Sequence, residues 1–295
     1  KTWARGVRKS CCGVAIALEG HVVILAFEDV VKSYGEVHAL DGLSFAVGPE
    51  EVVALLGPNG AGKTTALEIA LGLRSCDSGS VRLFGASPRS IAARRRLGVT
   101  PQESGFPDML TVGEIIEFVA QHYPTPAPVA QTLSTFGLEA MKRRRAGTLS
   151  GGESRRLALA LAFVANPEFF VLDEPTTGLD VQSRRRLWEA VREASGNRSI
   201  LFTTHYLEEA QAHASRILVV DRGRLLFDGD AQRLRGLVGN RRVTYVGPDG
   251  PVVAMPGDTD AYVRELVDSG VPFSNLEIAK PSLEEAFLLL TKGPA

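Results

Sequence analysis

Nine residues, Gly57-Pro58-Asn59-Gly60-Ala61-Gly62-Lys63-Thr64-Thr65, constrain this chain more than any other stretch. They follow the apolar run Val52 to Leu56 and precede the helix-like run Ala66 to Leu73, so the order reads strand, glycine-rich turn, helix start. The pattern is G-x-x-x-x-G-K-T, and each residue type has a task at a polyphosphate. Glycines let backbone N–H groups close around phosphate oxygens without a Cβ in the way, and a helix N-terminus adds unpaired donors and partial positive charge. Lys63 would reach the β and γ phosphates as a point charge, and the Thr64 hydroxyl is placed to ligate a bridging magnesium ion.

In an open α/β sheet, ligands bind beyond the carboxyl ends of the strands. Three further polar sites obey that rule. Gln102 follows the strand-like run Leu97 to Thr100, Asp173-Glu174 follow Phe169 to Leu172, and His205 follows Ile200 to Thr204. A buried strand ending in aspartate suits a magnesium shell, usually through water, and Gln102 would help ligate the same metal. Glu174 would polarise an attacking water as general base. His205 would contact the γ phosphate and hold that water in line.

Before the glycine-rich loop, Val23 to Val31 and Leu43 to Val47 read as strands, with Tyr34 and Gly35 between them. Val81 to Phe84 and Ile217 to Val220 add further strand signals. From about residue 102 to 165 the character turns helical. Thr111 with Glu114 has capping-box spacing, a proline-marked loop spans Pro124 to Pro128, and Val129 to Phe136 resumes a helical period. Strands alternating with helices imply a mostly parallel sheet covered on both faces, with a helical subdomain inserted. After residue 239 the pattern changes to a small α+β appendage, residues 240–295. Its strands are expected at Arg241 to Val246, Val252 to Met255 and Asn275 to Ile278, and its helices from Asp260 to Asp268 and from Ser282, capped by Glu285, to near Leu290.

The formal net charge of -1 argues against a dedicated nucleic-acid binder, which needs a broad basic field. Arginines cluster at Arg94 to Arg96, Arg143 to Arg145 and Arg184 to Arg186, runs that read as solvated helix faces. Cys11, Cys12 and Cys76 lack metal-ligand spacing and fit a reducing compartment. No run approaches the ~20 apolar residues of a membrane helix. Residues 1–22 begin at Lys1 and carry Arg5, Arg8 and Lys9, and are expected to be a disordered or non-native extension, with the first domain at 23–239.

At Leu149-Ser150-Gly151-Gly152-Glu153 a family resemblance becomes specific. With the loop at Gly57, Gln102, Asp173-Glu174, Gly178-Leu179-Asp180 and His205 in this order, the chain resembles ATP-binding cassette ATPases, the nucleotide-binding subunits of ABC transporters, from about Ala26 to Gln232. The resemblance implies a P-loop NTPase fold: a RecA-like α/β core, an antiparallel β subdomain and the inserted helical subdomain. It implies ATP and Mg2+ as cofactors, and a head-to-tail dimer, of identical or different subunits, with two ATPs sandwiched. Each ATP would be held by residues Gly57 to Thr65 of one subunit and Ser150-Gly151-Gly152 of the other, with Asp180 nearby and Tyr34 stacked on adenine. Ser-Gly-Gly at a helix start is itself a second anion site, and one subunit has no second nucleotide for it to hold.

The fifth signature residue is usually Gln in this family, and here it is Glu153. A carboxylate beside a γ phosphate would repel it, so Glu153 is expected to brace the helix start and point away. The implied partner is a separate integral-membrane permease, with this chain on the cytoplasmic face and no specific nucleic acid bound. The ending Leu276-Glu277-Ile278 through Pro281-Ser282-Leu283-Glu284-Glu285-Ala286-Phe287-Leu288 resembles the tail of ATPases paired with ABC-2 type permeases, which points to export. The rival reading is a soluble cassette ATPase acting on ribosomes or DNA. The ribosomal kind usually carries two cassettes in one chain, and the DNA-repair kind splits its halves with a long coiled coil.

Overall fold

A computed structural model describes residues 22–102, 105–238, 241–280 and 282–292. The expected extension, apart from Val22, lies outside these described residues, and so do Cys11 and Cys12. The chain divides into two compact units, one ending at Asp228 and one beginning at Gly229.

The first unit opens with β1 (Leu25–Tyr34) and β2 (Val37–Val47), an antiparallel hairpin turning at Gly35, whose φ of 59° is the left-handed turn that glycine adopts without strain. Both strands run past the apolar stretches that mark them in the sequence. Main-chain pairing carries them on through mixed residues, with register shifts between Phe27 and Val30 and between Lys32 and Ser33. Then come β3 (Val52–Leu56), α1 (Lys63–Ala70), β4 (Ser78–Leu83), α2 (Ile91–Arg94) and β5 (Leu97–Thr100). Strand β4 joins the hairpin in an antiparallel sheet of order β2-β1-β4.

Helices α3 (Val112–Ala120), α4 (Val129–Thr135) and α5 (Gly151–Val164) follow β5 and form the inserted helical region. Helix α3 begins at Thr111, whose side chain takes the Glu114 amide while Glu114 returns a bond to the Thr111 amide, the reciprocal cap that the sequence predicts. The chain re-enters the sheet through β6 (Phe169–Leu172), α6 (Val181–Ser195), β7 (Ser199–Thr203), α7 (Leu207–His213), β8 (Arg216–Asp221) and β9 (Arg224–Gly229). The large sheet has the order β5-β6-β7-β3-β8-β9, parallel from β5 through β8. Every residue of β6 and β7 is buried, which is why those strands read as uninterrupted apolar runs.

One core joins the antiparallel sheet, α1 and one face of the parallel sheet, from Phe27 and Phe45 through Leu67 to Leu55 and Val171. Phe27 and Phe45 stack with centroids 4.6 Å apart and are almost wholly buried, each contributing about 1.5–3 kcal/mol of burial. That packing seats α1, and with it the glycine-rich loop, between two sheets.

The second unit comprises α8 (Ala231–Gly236), β10 (Arg242–Gly247), β11 (Gly250–Ala254), α9 (Thr259–Asp268), β12 (Ser274–Ala279) and α10 (Leu283–Lys292). The strands form an antiparallel sheet of order β11-β10-β12. The unit starts at Gly229, ahead of the residue 240 expected from the pattern change, because α8 packs on α10. Helix α10 opens on the predicted cap, Glu285 accepting from the Ser282 amide and Ser282 Oγ from the Glu285 amide. Among the described residues no helix is long and apolar enough to cross a membrane.

Candidate functional site

The glycine-rich loop joins β3 to α1, and its glycines answer to sterics. A Cβ on Gly57 would lie 2.2 Å from the Val220 carbonyl oxygen, and one on Gly62, at φ 101°, would lie 2.3 Å from that of Ala39. Lys63, only 9% exposed, donates from Nζ to the carbonyls of Gly57 at 2.7 Å and Pro58 at 3.0 Å, and so spans the mouth of the loop. Burial lowers its pKa, and the attraction of Glu174 and Asp173 opposes that shift. Thr64 lies exposed at the first turn of α1 and Thr65 is half-buried. Pro58, Asn59 and Gly60 form the exposed crest of the loop, and Ala61 packs beneath it.

At the end of β6, Asp173 and Glu174 enter a web centred on β7. Thr203 Oγ1 donates to Asp173 Oδ1 at 2.5 Å and accepts the Glu174 amide at 2.8 Å. Glu174 adopts φ 44°, a left-handed backbone uncommon for a residue with a side chain. Its Oε2 accepts from Thr177 Oγ1 at 2.8 Å and lies 3.5 Å from Nδ1 of His205, the more exposed of the pair. Burial pushes the Asp173 carboxyl above its usual range. The Thr203 hydrogen bond and the charges of Arg155 and Lys63 act the other way, while Glu174 adds to the rise.

Thr64, Gln102 and Asp173, the three residues predicted to ligate metal, line one cavity of about 390 Å³. A hydroxyl, an amide and a carboxylate lining one cavity offer the oxygen ligands that fit magnesium, a hard cation. Tyr34 stands at the end of β1, 41% exposed, with Lys32 Nζ 5.6 Å and the Arg74 guanidinium 5.4 Å from its ring centroid.

Ser150 and Gly152 border a different cavity, of about 600 Å³, shared with Gly178, Asp180 and Ser183 and walled by no residue from Gly57 to Thr65. Ser150 caps α5, Gly151 begins it, and Asp180 caps α6 by accepting from the Ser183 amide at 2.9 Å. The Glu153 carboxylate turns back, accepting from the Ser150 amide at 2.7 Å and from Arg144 at 2.9 Å. The capping role expected of it is therefore the one it adopts.

Three residues of this web escape sequence reasoning. Thr203 looks like one more apolar-strand residue. Glu209, 6% exposed, accepts from Thr176 Oγ1 and from Thr204 Oγ1, the latter at 2.8 Å, tying the segment after Glu174 to the turn carrying His205. Its only signal is that a glutamate four residues beyond His205 falls on the first turn of a helix. Arg155, 8% exposed, donates to main-chain carbonyls after both β5 and β6. The three arginine clusters are not simply solvated faces. Each supplies an anchor, since Arg96 pairs with Glu168, Arg144 holds Glu153 and the Thr148 carbonyl, and Arg184 lies 4.0 Å from the Tyr206 ring centroid.

A phosphate loop between parallel strands, with carboxylates and a histidine at neighbouring strand ends, defines a P-loop nucleoside triphosphatase, here with an inserted helical region bearing Ser-Gly-Gly at a helix start. The ABC transporter family matches residues 40–177. The Nod factor export ATP-binding protein I of Burkholderia thailandensis is 42% identical over 237 residues, covering 77% of this chain and 78% of that protein. The daunorubicin resistance ATP-binding protein DrrA2 of Streptomyces coeruleorubidus is 37% identical, covering 90% and 94%. A solved ATP-binding subunit of an ABC transporter superposes with a TM-score of 0.67 at 26% identity, over 73% of this chain and 93% of that one. The chain belongs to the ABC transporter family, as an ATP-binding subunit that hydrolyses ATP.

Proposed function

We propose that this chain works as one half of an ATP-closed dimer, on the cytoplasmic face of a membrane, and drives export through a separate permease. One observation carries the reading: Ser150 and Gly152 open onto a cavity apart from the one lined by Thr64, Gln102 and Asp173. The signature segment thus has its phosphate partner on another subunit, and ATP closes the pair by satisfying two half-sites at once. Relatives named for Nod factor export and daunorubicin resistance support the direction of transport. What is carried is decided in the permease.

Within each site, loop amides from Gly57 to Thr65 wrap the phosphates and Lys63 leaves the Gly57 and Pro58 carbonyls to offset charge on the β and γ phosphates. Tyr34 stacks on adenine. Thr64, Gln102 and Asp173 would hold magnesium, which when bound neutralises phosphate charge. Glu174 takes a proton from the attacking water as it adds to the γ phosphorus, and ADP and phosphate are released. His205, 3.5 Å from that carboxylate, orients it and reaches the γ phosphate. Positioning and charge stabilisation supply most of the acceleration.

The test is Glu174→Gln in the full chain with ATP, followed by analytical ultracentrifugation. A stable ATP-dependent dimer with turnover abolished is expected; a monomer at all protein concentrations, or unaltered turnover, would sink the reading. Co-purification from membranes with a multi-span protein, rather than with ribosomes or DNA, tests the partner.

A further inference from the structure

The guanidinium of Arg155 is spent entirely on backbone. Nε donates to the Pro175 carbonyl at 2.9 Å, Nη1 to those of Pro101 at 2.7 Å and Gln102 at 3.1 Å, and Nη2 to those of Asp173 at 2.5 Å and Glu174 at 2.7 Å. An arginine has five N–H donors in a rigid fork, so this arrangement uses its whole capacity. Two of the acceptors lie in the segment after β5 and three in the segment after β6. The donor itself projects from α5, five residues past the helix-capping Ser150, a rise of roughly 7–8 Å along the helix.

Three features separate this from an ordinary buried cap. Three of the five carbonyls it holds belong to the residues that carry the chemistry, Gln102, Asp173 and Glu174, and the other two to their neighbours Pro101 and Pro175. Glu174 sits at φ 44°, a conformation it keeps only while its surroundings hold it there. Thr203 takes its amide and Arg155 takes its carbonyl, so the peptide units on both sides are pinned. Finally, α5 is the helix whose first turn offers Ser150, Gly151 and Gly152 at the other cavity. The same rigid body therefore touches both half-sites of one subunit.

We propose that Arg155 is a positioning residue for hydrolysis: its guanidinium fixes the backbones of Gln102 and Glu174 to α5, so that engagement of Ser150 by a neighbour's nucleotide is transmitted to the subunit's own general base. This rests on the dimer reading above. With all five donors on main-chain carbonyls, Arg155 acts through Glu174. A lysine in its place keeps the charge but replaces the planar fork with a single ammonium that cannot reach both segments.

The test uses the full chain carrying Arg155→Lys, Arg155→Gln, Ser150→Ala and the Ser150→Ala/Arg155→Lys pair, measuring ATP affinity, kcat and melting temperature. Arg155→Lys and Arg155→Gln are expected to lower kcat at least tenfold with the Kd for ATP within threefold of wild type. Because both residues act along one line, the double variant should be no more than threefold slower than the slower single. A smaller loss of kcat, a loss matched by weaker ATP binding, unfolding of both Arg155 variants at the assay temperature, or effects that multiply in the double variant would overturn the proposal. The dimer reading is scored separately. If Glu174→Gln fails to dimerise with ATP, that reading is lost, whereas the hold of Arg155 on Glu174 is still read from kcat of the single variants.

Discussion

The hydroxyl of Thr203 bridges two consecutive residues, donating to the Asp173 carboxylate at 2.5 Å and accepting the amide of Glu174 at 2.8 Å. Thr203 is wholly buried in β7, and the two residues it holds are half-buried. Thr203→Val keeps the shape and removes both bonds, leaving a half-buried amide and carboxylate each short of a partner. The expected cost is about 1–3 kcal/mol in stability. A drop in kcat of roughly tenfold or more should accompany it, because Glu174 loses one of the contacts that hold its left-handed backbone. Denaturant unfolding together with steady-state ATPase measurement checks both, and a variant with wild-type kcat would show that the bridge does not govern Glu174.

Glu209 makes the corresponding link on the other side. Its two carboxylate oxygens hold Thr176 and Thr204, so the segment after Glu174 and the turn before His205 move together. Glu209→Ala should leave both hydroxyls without their acceptor, destabilise the chain by roughly 1–3 kcal/mol and reduce turnover more than ATP affinity. Equal losses in kcat and affinity, measured on the folded variant, would mean that Glu209 supports the fold without aligning His205 on Glu174.

How far the sequence foretells this site depends on where the information resides. Strands β3 and β6 have the limits their apolar runs predict, because a central parallel strand is buried on both faces and its composition says so, and β5 at the sheet edge matches its predicted limits as well. Gln102, Asp173 and His205 follow from the rule that ligands gather beyond strand ends. The hairpin of β1 and β2 is longer than its apolar content suggests, since pairing, not burial, extends it. Arg155 is opaque for a different reason. It sits beside Arg156 on a helix, and only the folded arrangement reveals that carbonyls from two distant segments end on it. Thr203 and Glu209 are opaque in the same way, their partners lying about thirty positions off in Asp173 and Thr176.

Glu153 supplies a pH-dependent prediction. The Ser150 amide, foremost, and the Arg144 guanidinium hold its carboxyl below the ordinary glutamate range. A carboxyl depressed by folding stabilises the protein above its unfolded-state pKa, and that contribution is lost as the pH falls through the folded-state value. Glu153→Gln keeps an oxygen to cap α5 but not the charge. Its melting temperature should therefore fall below that of wild type at pH 7, by the equivalent of about 1 kcal/mol or less for so exposed a pair, and the two should converge once the pH has fallen through the depressed folded-state value. ATPase activity should stay within about twofold of wild type. Acceleration of tenfold or more would place the carboxylate against the γ phosphate, contrary to its contacts with Ser150 and Arg144.

Tyr34 tests the adenine end independently of the chemistry at the phosphates. Its ring is partly open and flanked by Lys32 and Arg74, whose own charges are committed to Asp77 and Glu68. Both cations lie over the ring at cation–π distance, and the ring is still 41% exposed, so its open part can meet a base. Loss of base stacking costs about 1–3 kcal/mol, so Tyr34→Ala should weaken ATP binding by roughly 5- to 150-fold, while Tyr34→Trp retains it. Because the γ phosphate site is untouched, kcat at saturating ATP should change little. Binding of ATP and of inorganic triphosphate, compared by calorimetry, separates the possibilities. Equal weakening of both ligands by Tyr34→Ala would show that the residue shapes the phosphate loop and does not read the base.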